Sequence, residues 1–216
     1  MTSGQSPPSL RLERAFWRAG MPRVAGVDEV GRGALAGPLV AAAVVLPRVE
    51  GTTLRQLRSA LARVRDSKLI PEESRPRVAT AVYDIAIGVG IGVVQADELD
   101  AIGLGPANRQ ALERAIQALA MDVDAVLLDA YVTDLGMPQV GVIDGDACCL
   151  SIAAASVVAK VTRDAMMREL DAGDPRFGFA AHKGYGTVAH LARLRDHGPC
   201  AHHRRCFAPV VRAAER

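Results

Sequence analysis

The 216-residue sequence predicts an α/β fold: a mixed β-sheet covered by helices and followed by a small basic helical segment. Three observations predict it. Two apolar, β-branched runs at residues 24–30 and 39–46 follow one another across a Gly-rich turn, the signature of adjacent strands. Further along, apolar runs alternate with stretches of helical periodicity, which points to strands and helices packed in layers. Half of the residues are hydrophobic, enough for one substantial core.

The elements follow in order. Residues 24–30 form the first strand and 39–46 the second, with Gly37-Pro38 just ahead of it. Residues 54–64 suit a short helix, and the polar Asp66-Ser67-Lys68 follows. Residues 72–84 read as a helix with Pro71 near its first turn, where a missing N–H costs nothing. The β-branched, Gly-interrupted run 85–94 suits a third strand. In 108–120 the apolar Leu112, Ala115, Ile116 and Leu119 fall on one helical face. Residues 125–128 make a short buried strand ending at Asp129, and 139–143 another, left by Asp144-Gly145-Asp146. Residues 152–170 form a long helix and 188–196 a shorter one. The expected organisation is a flexible tail and lead-in (1–20), one domain carrying the acids (21–181), and a basic helical segment packed on it (182–216).

Composition narrows the function. The longest apolar run, 39–46, falls far short of the roughly 20 residues of a membrane span. Residues 1–9 are polar and lack the apolar core of a secretory signal, so the expected location is the cytoplasm. The cysteines, Cys148, Cys149, Cys200 and Cys206, have no disulfide-framework spacing. Cys200, His202, His203 and Cys206 resemble a metal knuckle only weakly, without a second Cys/His pair nearby. From His182 onward seven Lys/Arg face two Asp/Glu, a local +5; the whole chain is +2, so the remainder stands at −3. A basic end against an acidic centre suits a polyanion held over a metal pocket; a solvated Arg-rich helix gives the same charge pattern.

Three acidic sites each lie just past an apolar run: Asp28-Glu29, Asp129 and Asp146. Ligands in α/β sheets gather beyond strand ends, so these groups can meet at one edge. Four carboxylates about 4 Å apart would repel by roughly 4 kcal/mol per pair at an effective dielectric of 20. Either their pKa values rise or cations neutralise them. Two Mg²⁺ or Mn²⁺ ions would balance the charge and clamp the attacking and leaving oxygens of a phosphodiester. Adjacent strand residues point to opposite faces, so the strand is expected to break at Glu29, or Glu29 to offer its backbone carbonyl. Any one of these acids alone reads equally as a loop or cap residue.

The motifs, in this order, resemble those of ribonuclease HII over about residues 22–212. Asp28-Glu29-Val30-Gly31-Arg32-Gly33 is similar to the family's opening signature, with Leu35-Ala36-Gly37-Pro38 after it. Asp66-Ser67-Lys68, Asn108 with Ala111-Leu112, Leu127-Leu128-Asp129, Gly145-Asp146 with the run 152–164, His182-Lys183-Gly184-Tyr185-Gly186-Thr187, His203-Arg204 and Phe207-Ala208-Pro209-Val210 continue it. The resemblance implies an RNase H-like fold and an endonuclease that cleaves RNA in RNA–DNA hybrids. It also implies incision of DNA 5′ of an embedded ribonucleotide, with Mg²⁺ or Mn²⁺, leaving 3′-hydroxyl and 5′-phosphate ends. It assigns metal binding to Asp28, Glu29, Asp129 and Asp146, 2′-hydroxyl recognition to Gly31, Arg32 and Gly33, and sugar stacking to Tyr185. Ser67, Lys68, Ser156, Lys160 and Lys183 complete the expected substrate-binding set, and a monomer is expected. Two departures stand out: Asp144 occupies the family's usual Lys position, where its charge threatens Asp146, and Ala130 stands where Gly is common.

Alternatives accompany several residues. Gly31 and Gly33 suit a tight turn as well as a phosphate. Lys160 is placed to pair with Asp164 at i+4 or to reach a phosphate, Ser67 and Lys68 suit a simple turn, and Asn108 reads first as a helix cap. Gly31-x-Gly33-x-x-Ala36 with Glu50 also fits a dinucleotide fingerprint, but that motif must open a helix, whereas a second strand is expected here. Asp144 raises a non-enzymatic alternative, a hybrid-binding protein with an impaired site.

Overall fold

The computed structural model describes residues 7–215, so the loose tail expected over residues 1–9 falls largely outside the described residues. Five strands form one sheet in the order β3-β2-β1-β4-β5. β1 (Val24–Val30), β2 (Leu39–Val45) and β3 (Gly88–Val94) make an antiparallel meander, and β4 (Ala125–Asp129) and β5 (Gln139–Val142) add in parallel on the other side of β1. The mixed sheet flanked by helices is thus as expected.

Period-two alternation sends each strand's side chains to two separate cores. Val24, Ala42, Val44 and Leu127 face the long helix α7 (Leu150–Gly173), with α1 (Arg11–Arg18), α2 (Gly51–Ala60) and α3 (Arg75–Ile85) around it. Ala25, Val27, Val94 and Leu128 face α5 (Leu104–Gln117). The start of α7 lies so close to β1 that a Cβ on Gly26 would stand 2.2 Å from the Ser151 carbonyl carbon. Only glycine fits there, and this contact fixes α7 against the strand that carries Asp28.

Several boundaries moved for identifiable reasons. The helix expected over 72–84 begins as a 3-10 turn at Glu72–Ser74, and α3 proper starts at Arg75, with Pro76 in its first turn. It takes Ile85, so the third strand starts at Gly88. The helix expected over 54–64 lies at Gly51–Ala60. The reading assigned no element before residue 24, yet α1 forms there and buries Leu10 and Trp17. It also assigned none between 94 and 108, where α4 (Ala96–Ile102) precedes α5. Asn108 lies inside α5 and does not cap it.

The C-terminal segment folds back over the loop between β1 and β2. It holds α8 (Phe179–His182), α9 (Val188–His197) and α10 (Ala208–Ala214). Leu35 packs with Leu194 and Val210, and Ala36 with Met167, Phe177 and Phe179. Backbone bonds stitch the two together: Leu35 N–H to Gly184, Gly37 N–H to His202 and Arg204 N–H to Leu35. The loop therefore has no freedom to open a helix, and β2 follows it directly, which removes the dinucleotide fingerprint.

Candidate active site

The parallel register that pairs Val27 with Leu128 brings out Asp28 and Asp129 next, side by side on the face covered by α7. Asp146 enters from α6 (Gly145–Cys148), the short helix between β5 and α7. Its neighbour Gly145 donates its N–H to Asp129 Oδ1 at 2.8 Å, tying the third acid to the fourth. Glu29 does not break the strand: β1 continues to Val30, with Glu29 paired to Ala41. Its N–H instead bonds back to Asp28 Oδ1 at 2.7 Å. The expected strand break was wrong because the β1–β2 ladder is long enough to hold the backbone extended through both acids.

The electrostatics are those of an acidic cluster only partly compensated by Lys68 and Arg32. Burial, then the Glu29 charge, then Asp129 and Asp146 push the Asp28 carboxyl well above its ordinary range, against a hydrogen bond from Ser156. Glu29 is pushed up to about 7 by burial and then by Asp129, with Arg32 and Lys68 opposing. Its Oε2 is buried without a hydrogen-bond partner. Asp146 rises to about 6, through burial and then through Asp66, which also hydrogen-bonds it. Asp66, which the sequence places only in the Asp66-Ser67-Lys68 motif with no site role, thus joins the acids. Asp144, by contrast, is exposed and contributes nothing resolved to the shift of Asp146.

Lys68 stands 3.7 Å from Asp146 Oδ2 and 3.8 Å from Asp66 Oδ1. Burial works against its charge, but its side chain is 79% exposed, and Asp66, Asp146, Asp28 and Asp129 together raise its pKa. Ser67 and Ser156 join hydroxyls at 3.1 Å beneath Asp28. Among the described residues no three His, Cys, Asp or Glu side chains already stand in position to hold an ion. The donor set nonetheless fits a hard divalent cation: oxygen ligands only, with raised pKa values and one unpartnered buried oxygen. Holding one requires these carboxylates to close on it.

The glycine turn is anchored from below. Gly31 has φ +93°, and a Cβ there would lie 2.1 Å from Arg163 Nε. Arg163, fully buried on α7, donates to the carbonyls of Pro38, Lys183 and Ala36 at 2.8, 2.9 and 3.1 Å. Its guanidinium carbon also lies 5.4 Å from the centre of the half-buried Tyr185 ring. Arg204, equally buried, binds the carbonyls of Gly37 and Arg32. Arg32 itself is exposed, bonded to the Tyr131 hydroxyl and stacked 4.8 Å from that ring's centre. Gly33 faces open space.

The structure thus gathers the four acids with Ser67, Lys68 and Ser156, and hangs Gly31, Arg32 and Tyr185 on buried arginines. It does not leave the other two lysines free. Lys160 donates to Asp164 at 2.7 Å, and Lys183 pairs with Glu72 at 2.9 Å. Ala130, just past Asp129, has φ +59°, a left-handed conformation that costs a non-glycine residue and accounts for the family's usual Gly.

The histidines serve the scaffold. Cys200 N–H donates to His203 Nδ1 at 3.1 Å, so His203 carries its proton on Nε2, 3.1 Å from His190 Nε2. His190 then donates from Nδ1 to the Tyr185 carbonyl at 3.0 Å. Burial holds both rings neutral, with pKa values lowered to about 4.

Residues 25–210 match the family model for Ribonuclease HII. The chain belongs to the ribonuclease HII family. Ribonuclease HII of Chloroflexus aurantiacus is 45% identical over 95% of this chain and 96% of its own. That of Dehalococcoides mccartyi is 42% identical over 94% of each. Among solved structures, ribonuclease H2 from Pyrococcus horikoshii OT3 superposes with a TM-score of 0.74 at 24% identity, covering 90% of this chain and 98% of that one. Bst-RNase HIII, solved with Mn²⁺, gives 0.67 at 21% identity over 99% and 76%. The fold is the RNase H-like fold. Membership makes this chain a metal-dependent endoribonuclease of the RNase H type, acting on RNA–DNA hybrids. Among the described residues no helix is long and apolar enough to cross a membrane.

Proposed function

We propose that the chain hydrolyses the RNA strand of hybrids and also incises duplex DNA 5′ of an embedded ribonucleotide, leaving 3′-hydroxyl and 5′-phosphate ends. The observation that carries this reading is the convergence of Asp28, Glu29, Asp129 and Asp146 beside the Gly31–Gly33 turn, with the carboxyls of Asp28, Glu29 and Asp146 raised by burial and by the charge of neighbouring acids. These four carboxylates would hold two divalent cations, Mg²⁺ or Mn²⁺. Such ions, when bound, polarise the scissile phosphate and acidify the attacking water.

The chain's own residues do the rest. Asp28 is held from two sides, by Ser156 and by the Glu29 N–H, so its carboxylate has a fixed aim. The backbone of Gly31, Arg32 and Gly33 reads the ribose 2′-hydroxyl, the group that separates RNA from DNA. Arg163 keeps that backbone from drifting by gripping the loop's carbonyls. Tyr185 stacks on the sugar at the RNA-to-DNA junction. Lys68 and Ser67 lie beside the acids, where a phosphate must pass; Lys160 and Lys183 would have to leave Asp164 and Glu72 to reach one. The reading keeps the protein in the cytoplasm as a monomer; that all four acids come from one chain supports the latter.

Duplex DNA carrying one ribonucleotide, incubated with Mn²⁺ or Mg²⁺ and separately with EDTA, tests this directly. Metal-dependent nicking on the 5′ side with a 3′-hydroxyl end is expected. A cyclic phosphate end would mean histidine chemistry instead, and binding with no nick would leave the hybrid-binding alternative.

A further inference from the structure

Helix α1 carries a second feature that the acidic site does not use. Arg11, Arg14 and Arg18 recur at spacings of three and four, which places them on one face. With Arg58 of α2, and with Ser9, Leu10 and Leu54, they line a groove of about 160 Å³. All four arginines are exposed. None of them forms an ion pair among the described residues. The acid that α1 does carry, Glu13, is turned inward and buried, accepting from Ser151 N–H at 2.9 Å and from Cys149 Sγ at 3.2 Å. The groove therefore holds four positive charges and no negative one, an arrangement that repels itself until an anion enters.

The groove also joins the acidic site. Ser9 donates its N–H to Cys148 at 3.0 Å and accepts from Leu150 N–H at 3.1 Å. Cys148 ends α6, the helix that carries Asp146. The mouth of the groove is thus bonded to the corner that holds the fourth acid.

We propose that this arginine groove grips a phosphodiester of the duplex that flanks the cleaved position, extending the substrate track from the acids onto α1 and α2. The inference rests on the nuclease reading above, and it names a part of the substrate that the acids and the glycine turn do not touch. Guanidinium groups suit phosphate oxygens through paired N–H donors, so the contact carries affinity and register without reading sequence.

The test compares the wild type with Arg14→Glu/Arg18→Glu on two ribonucleotide-containing duplexes. One extends only a few base pairs past the ribonucleotide on each side, the other about 10 further base pairs. Binding is measured in Ca²⁺ over a salt series, and nicking in Mn²⁺. The proposal expects the variant to bind the long duplex about 10-fold more weakly, with a salt slope shallower by about one per arginine lost, and to match wild type on the short duplex. Arg58→Gln, a single exposed change on the neighbouring helix, should show the same long-duplex defect at smaller size and serves if the double variant misfolds. Equal behaviour on the long duplex would overturn the proposal and leave a solvated face only. So would an equal loss on both duplexes, or a groove that binds anionic phospholipid vesicles but not duplex. The nuclease reading fails separately: in that case the wild type nicks neither duplex in Mn²⁺, whether or not it binds them.

Discussion

Two buried polar clusters lie on either side of the Gly31–Gly33 turn, and they are built on opposite principles. Around Arg163, Arg204, His190 and His203 every side-chain nitrogen has a partner: five carbonyls take the guanidinium bonds, and the histidines pass one hydrogen bond to the next. Around Asp28, Glu29 and Asp146 the charges are alike, their pKa values are raised, and Glu29 Oε2 has no partner. A buried network that satisfies itself holds a shape. One that does not is a place where something else binds. Between these two clusters, the pattern of satisfaction, more than burial, separates scaffold from site.

Asp28→Asn probes the unsatisfied side and has the largest expected effect. Nicking should fall by at least about 10³-fold, on the scale of losing a group that aligns and neutralises a phosphoryl centre. The fold should survive, and metal-free protein at pH 8 should melt at a higher temperature than wild type. The sign follows from linkage: a carboxyl raised in the fold binds its proton more tightly than in the unfolded chain, so stability is lost as pH rises through the raised pKa. Removing the charge removes that loss. Unchanged nicking with a lower melting temperature would reverse the comparison.

Arg204→Met probes the satisfied side. It leaves the buried Gly37 carbonyl and the part-buried Arg32 carbonyl unpaired, and should cost about 3–5 kcal/mol in urea unfolding. Here stability should fall first and nicking only with it, the reverse order to Asp28→Asn.

A smaller effect separates the clusters by acid. His190 and His203, lowered from 6.5 to about 4, stay neutral in the fold while the unfolded chain takes up protons. Their contribution is present above pH 6.5 and is lost as pH falls towards 4. The carboxylates run the other way, so His190→Gln/His203→Gln should flatten the acid limb of a melting-temperature profile and leave the alkaline limb in place. An unchanged acid limb would place the titration elsewhere.

How far the sequence told this story depended on range. Strands β1, β2 and β4 and the helix α7 were legible because their apolar periodicity is local and long. The acids were legible too, each following an apolar run. Asp66 was not: in sequence it is the first residue of a polar turn, and only the fold sets it against Asp146. Nor was the role of Arg163, inside the run 152–164, since nothing nearby in sequence announces that three distant carbonyls and Gly31 close over it. Helix α1 was missed because it is short and crowded with charge, and only Glu13 and Trp17 of it are buried, with Leu10 just ahead of it.

Helix α7 acts as a gauge. It touches β1 at Gly26 through Ser151, supports Asp28 through Ser156 and braces Gly31 through Arg163. Ser156 and Arg163 are two turns apart, about 10 Å along one rigid rod. The spacing between the hydrolytic centre and the sugar-reading turn is thereby set by helical pitch, independent of any loop. Inserting one residue between them would swing Arg163 by about 100° and uncouple where the chain cuts from what it recognises.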